Sequence, residues 1–89
     1  MSLKTSIILC TYNEVNYIED TVAKIEKIIK NLELIIVDDN STDGTKDIIN
    51  RLNHEKKYKV IFRKKSKGLA SAFLRGVIET SGEHIGWLD

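Results

Sequence analysis

The stretch IIVDDNSTDG, from Ile35 to Gly44, carries the reading of this chain. Ile35-Ile36-Val37 is an unbroken β-branched run without polar alternation, the pattern of a strand covered on both faces. Two carboxylates, Asp38 and Asp39, follow at once. Asn40-Ser41-Thr42-Asp43-Gly44 is then a turn, built from residues that bond their own backbone or accept left-handed geometry. Bringing two acids to the tip of a buried strand is costly unless they hold something there.

The same alternation of strand, turn and helix extends in both directions. Ser6 to Cys10 reads as a first buried strand. Val15, Ile18, Val22, Ile25 and Ile29 then fall three and four apart, one apolar stripe on a helix that Asn31 should end. Leu34 to Val37 is the second strand. Ser41 or Thr42 is placed to cap the next helix, with Asp43 in its first turn and Ile48, Ile49 and Leu52 on its buried face. Val60 to Phe62 is a third, short strand. Leu69, Ala72, Phe73, Gly76, Val77 and Thr80 follow helical spacing until Ser81-Gly82, and His84 to Leu88 reads as a fourth strand. Four strands separated by helices predict an α/β parallel sheet with crossover connections.

Composition narrows the function. Eighty-nine residues make one small domain, and 42% hydrophobic with 30% charged residues is ordinary for a folded globule. A net charge of +1 lacks the basic surplus that captures nucleic acid. The single cysteine, Cys10, has no internal disulfide partner, which fits a reducing compartment. No run of 18 apolar residues is present to span a membrane, and Ile7 to Cys10 is too short for a signal-peptide core.

Ligands of open parallel sheets bind beyond the carboxyl ends of the strands, where the strand order reverses. The ends here are Thr11-Tyr12-Asn13-Glu14, Asp38-Asp39-Asn40, the loop Arg63 to Lys67, and Asp89. An acid ending the second strand suggests a dinucleotide fold, but the first turn has no glycine to bring a pyrophosphate to backbone amides, and Glu14 would repel it. A base and ribose could still be held, with Tyr12 as a stacking face and a carboxylate accepting from base N–H groups. Acids in such a turn also serve to cap a helix or to anchor the turn; Asp43 is read that way, and for Asp38 a structural and a binding role both stay open. Cys10 lacks the surroundings of a reactive thiol. His54 and His84 have no neighbours at metal-ligand spacing. Gly68, Ala70, Ala72 and Gly76 let a helix approach the sheet closely.

Three motifs in order resemble a known family. Thr11-Tyr12-Asn13-Glu14, then Val37-Asp38-Asp39-Asn40-Ser41 with Asp43-Gly44-Thr45, then Lys67-Gly68-Leu69-Ala70-Ser71-Ala72 with Arg75-Gly76, look like the N-terminal half of a family 2 glycosyltransferase of GT-A fold. Within it, dolichyl-phosphate mannosyltransferases and related polyprenyl-phosphate sugar transferases are most similar. The resemblance covers nearly all 89 residues. It implies a three-layer Rossmann-like sheet with strand order 3-2-1-4, truncated here because the family's domain continues past residue 89.

By position, the resemblance assigns the nucleotide site to Cys10, Thr11, Tyr12, Glu14, Val37, Asp39, Lys67 and Asp89. Cys10 stands where the family usually has proline. Val37 and Asp39 would meet the base, Asp38 would then anchor the turn, and Lys67 would face the diphosphate. Gly86-Trp87-Leu88-Asp89 resembles the strand leading into a D-x-D motif. Asp89, its first acid, would be the catalytic and metal-ligating residue for Mg²⁺ or Mn²⁺, and the second acid is absent. The implied reaction transfers a sugar, such as mannose, from a GDP- or UDP-sugar to an acceptor. A lipid phosphate at the cytoplasmic membrane face fits the closest subgroup. Two other readings stay open: a non-catalytic nucleotide-binding module, and a receiver-like or flavodoxin-like signalling domain in which paired acids bind Mg²⁺. A truncated sheet with an exposed edge would also favour self-association.

Overall fold

The computed structural model describes residues 3–56, 58–64, 69–82 and 84–88, with backbone alone at 69, 70 and 88. The chain runs β1 (Thr5–Thr11), α1 (Ile18–Ile28), β2 (Leu32–Asp38), α2 (Thr45–Lys56), β3 (Lys59–Phe62), α3 (Leu69–Val77) and β4 (His84–Leu88). All strand pairs are parallel, in the order β3-β2-β1-β4 that the resemblance predicts.

The two central strands explain the three layers. Strand side chains alternate between faces, so a run buried at every position must be covered twice. Ile7, Leu9, Leu34 and Ile36 point to one side and pack with Ile18, Val22, Ile25 and Ile49 of α1 and α2. Ile8, Cys10, Ile35 and Val37 point to the other and pack with Ala72 of α3. The chain moves outward from β1 to β2 to β3, then returns past β1 to lay down β4. Crossovers of one hand running in opposite directions place their helices on opposite faces. The reversal falls between β1 and β4.

Four helix boundaries differ from the sequence reading. Val15 lies in a turn ahead of α1. The helix ends at Ile28, and Asn31, at φ +51°, belongs to the following turn. The expected caps Ser41 and Thr42 do not cap α2. The helix begins later, at Thr45, and Asp43 Oδ1 accepts from its backbone N–H at 3.0 Å. Ser41 is diverted because its hydroxyl and amide both serve Asp38. At the other end, α3 stops at Val77, ahead of Thr80.

Close approach of α3 to the sheet needs Gly76. A Cβ there would lie 2.5 Å from Ile8 Cγ2. Gly82 is tighter against backbone, since its Cβ would meet the Lys4 carbonyl and the Ser6 amide at 2.9 Å. Gly82→Ala should therefore cost roughly 1–3 kcal/mol, as overpacking typically does. Urea unfolding checks this, and an unchanged midpoint would show that the turn relaxes freely.

The amino ends of the strands are gathered by one carboxylate. Glu33 Oε1 accepts from Ser6 Oγ at 2.7 Å and from the Ser81 amide at 2.8 Å. Its Oε2 accepts from Ser81 Oγ at 2.8 Å and pairs with Lys59 Nζ at 3.1 Å. Burial pushes this carboxyl upward, but the bonds from Ser6, Ser81 and Lys59 outweigh it and hold it at about 2. Glu33 thus ties β1, β2, β3 and the turn before β4 together, away from the carboxyl edge. Among the described residues, no helix is long and apolar enough to cross a membrane.

Candidate functional site

Because all strands are parallel, their carboxyl ends share one edge. Thr11 pairs with Asp38, and Asp38 with Phe62. Tyr12, Asp39 and Arg63 each stand one residue beyond a strand end. The ladder reaches them, since Asp39 N–H donates to the Thr11 carbonyl at 3.0 Å and Arg63 N–H to the Asp38 carbonyl at 2.9 Å. Tyr12 and Asp39 are each followed by an asparagine in the left-handed region, Asn13 at φ +50° and Asn40 at +57°. Asparagine tolerates that backbone better than most residues. Each strand therefore presents one site residue and then turns sharply away.

The two acids of the central stretch have different work. Asp38 is fully buried. Its Oδ1 accepts from Thr11 Oγ1 and Ser41 Oγ, both at 2.6 Å, and its Oδ2 from the Ser41 amide at 2.9 Å. It anchors the turn, as expected from the sequence. Asp39 lies at the sheet edge and is paired with Arg63. The Arg63 Nε donates to one carboxylate oxygen and Nη2 to the other at 2.8 Å, with both side chains 11% exposed. Hydrogen bonding to Asp39 raises the Arg63 pKa against the opposing effect of burial. Arg63 Nη1 also donates to Ser71 Oγ on α3 at 2.8 Å. The sequence reading treated Arg63 only as the start of a basic loop. The available signal was opposite charge one step past the ends of two neighbouring strands.

The first turn cannot serve as a phosphate cradle, and the structure shows why beyond its lack of glycine. Three successive backbone N–H groups are taken by side chains of the next turn: Asn13 by Ser41 Oγ at 2.8 Å, Glu14 by Thr45 Oγ1 at 2.9 Å, Val15 by Asp43 Oδ2 at 3.1 Å. In the opposite direction, Thr42 N–H donates to Asn13 Oδ1 at 2.7 Å. Although desolvation pushes the Asp43 carboxyl upward, the bonds from Thr45 and Val15 hold it below the ordinary carboxylate value.

Of the residues assigned by resemblance, Tyr12, Glu14 and Asp39 gather at this edge. Tyr12 is 57% exposed, so its ring is open to a ligand. Cys10, Thr11 and Val37 lie just beneath, with their side chains buried. Lys67 and Asp89 lie outside the described residues. Among those described, no three His, Cys, Asp or Glu side chains gather as a metal site.

Comparison with known proteins accords with this geometry. Residues 6–89 match the model of Glycosyl transferase family 2, and the chain belongs to that family. A dolichol-phosphate mannosyltransferase of Pyrococcus furiosus is 40% identical over 83 residues, covering 91% of this chain and 24% of that protein. The mannosyltransferase PcManGT from Pyrobaculum calidifontis, solved in complex with GDP-Man and Mn²⁺, superposes with a TM-score of 0.83 at 25% identity, over 96% of this chain and 26% of that one. S. aureus TarS 1-349, in complex with UDP-GlcNAc, superposes with a TM-score of 0.85 at 27% identity, over 98% and 26%. The chain thus spans about a quarter of the length of these proteins. The family match sets the receiver-like reading aside, and Asp38, bonded on both oxygens within the turn, is not poised to take a phosphoryl group.

Proposed function

We propose that this chain is the nucleotide-sugar-binding part of a family 2 glycosyltransferase. The single observation that carries the reading is the carboxyl edge itself. It exposes an aromatic ring beside a carboxylate while the neighbouring turn amides are already bonded. Such an edge suits a base and ribose better than a bare pyrophosphate. A carboxylate has about four acceptor positions. Asp39 can therefore hold Arg63 and still accept from a base N–H, while Tyr12 offers a face beside it.

The donor is a GDP- or UDP-sugar, with mannose favoured by the Pyrococcus furiosus relative. That relative also supports a lipid-phosphate acceptor; its place at the cytoplasmic membrane face is part of the proposal. A phosphate acceptor is already anionic and needs little help from a general base. Asp89, a hard oxygen donor, would supply one ligand to Mg²⁺ or Mn²⁺, and Lys67 would face the diphosphate. Such an ion, when bound, offsets charge on the leaving diphosphate.

Calorimetric titration of the purified chain with GDP and UDP tests the reading. Binding of at least one is expected, with no sugar transfer by the 89-residue chain in the presence of Mn²⁺. Failure of both nucleotides to bind would sink the proposal, and steady turnover would refute the claim that the chain alone is inactive. Transfer by a longer chain carrying a second acid after Asp89 would exclude the non-catalytic alternative.

The chain by itself should also self-associate. Among the described residues, no strand pairs with the outer side of β4. Ile85 and Trp87 are exposed on that strand, and an apolar groove of about 380 Å³ runs between α1 and Gly86. An apolar, unprotected sheet edge invites pairing with a second copy. Sedimentation should show concentration-dependent dimers that Ile85→Lys returns to monomer. Monomeric wild type at high concentration would contradict this.

A further inference from the structure

We propose that Asn13 is a positioning residue for the nucleotide site, an inference that rests on the reading of that site given above. Asn13 is exposed and has no place in the core. It is nevertheless bonded across to the neighbouring turn through both its amide and its side chain. The amide donates to Ser41 Oγ, and the side-chain oxygen accepts from Thr42 N–H. Ser41 Oγ in turn donates to Asp38, which also receives Thr11 Oγ1. The series Asn13 amide–Ser41–Asp38–Thr11, closed through the backbone of Tyr12, links the two strand ends, and the bond from Thr42 N–H to Asn13 Oδ1 adds a second link that depends on the Asn13 side chain. Tyr12 sits between Thr11 and Asn13 in sequence, and Asp39 follows Asp38. Fixing Asn13 against Ser41 and Thr42 fixes the spacing between the aromatic face and the carboxylate.

Asn40 occupies the equivalent place after Asp39 and shares the left-handed backbone. Among the described residues its side chain accepts from Lys46 Nζ alone, at 2.8 Å, within its own side of the site. Of the two asparagines, Asn13 spans the gap. A ligand that must touch both turns at once is sensitive to their relative placement, and a misplacement of about 1 Å can weaken such contacts by orders of magnitude. The fold is much less sensitive, because water can replace the bonds at an exposed turn.

Two variants separate positioning from folding. Asn13→Gly keeps the left-handed backbone accessible but removes the acceptor. Asn13→Asp keeps an acceptor oxygen and tolerates the same backbone. GDP and UDP are titrated at about 0.5 M salt, where the added charge is largely screened. Asn13→Gly should weaken binding of the wild type's preferred nucleotide about tenfold, with the unfolding midpoint within about 5 °C of wild type, a shift near 1 kcal/mol for a chain this size. Asn13→Asp should restore affinity to within about threefold. Unchanged affinity in Asn13→Gly would overturn the positioning role alone. So would a loss of affinity matched by unfolding, or equal loss in Asn13→Asp. Absence of binding by wild type would instead overturn the site reading, and the inference with it.

Discussion

Asp39→Asn should lower both the stability of the fold and its affinity for nucleotide. The amide keeps the shape of the side chain but turns one acceptor into a donor. Read from the sequence alone, the change would touch only the base contact. The structure adds Arg63, whose guanidinium is held across both oxygens with little solvent to screen it. Breaking one side of a largely buried pair costs about 3 kcal/mol, because the remaining charge stays buried without its counterpart. For a chain of this size that lowers the unfolding midpoint by more than about 10 °C. The lost charged acceptor adds roughly 1.5–3 kcal/mol at the base, about a ten- to hundredfold weaker dissociation constant. Adding Arg63→Gln to Asp39→Asn should recover most of the stability while binding stays weak. Thermal unfolding and calorimetry on the three chains separate the effects. Wild-type behaviour of Asp39→Asn in both assays would show that neither role exists.

Acid should loosen the opposite end of the sheet. Burial raises the Glu33 carboxyl, but hydrogen bonds from Ser6, Ser81 and Lys59 outweigh it and hold the group at about 2 in the folded chain, below its ordinary 4.5. A depressed carboxylate contributes stability that is complete above its unfolded value and is lost as pH falls toward the folded one. The window is therefore about pH 5 down to about pH 2, and the contribution, reduced by solvent screening of the exposed partners, is roughly 1–3 kcal/mol. Glu33→Gln should remove that contribution at neutral pH and flatten the wild-type excess across the window. Other carboxylates titrate there too, so the informative quantity is the difference between the two stability curves. Parallel curves would mean that Ser6, Ser81 and Lys59 bind the carboxyl no better than water does.

Much of this architecture was legible in one dimension. Unbroken apolar runs at Ile7 to Cys10 and Leu34 to Val37 required cover on two faces, and both strands received it. The stripe Ile18, Val22 and Ile25 required one face of a helix. The strand order, Tyr12 at the edge and Asp38 as the turn anchor followed from motif and position. What escaped the reading were contacts between residues far apart in the chain. Ser41 looked like a helix cap because local patterns favour it there, but Asp38 claims its hydroxyl and Asp43 takes over at Thr45. Arg63 looked like one more base in a loop.

The sequence by itself determined which segments are strands and helices, which faces they bury, and that two acids end the second strand. Those properties depend on periodicity and side-chain chemistry within a few residues. Only the tertiary structure decided the partners: Arg63 for Asp39, Ser41 and Thr42 for Asn13, Ser81 for Glu33. Such pairings depend on which strands lie side by side and on their register. A hydrogen bond is lost within an ångström of displacement, whereas an apolar face tolerates it.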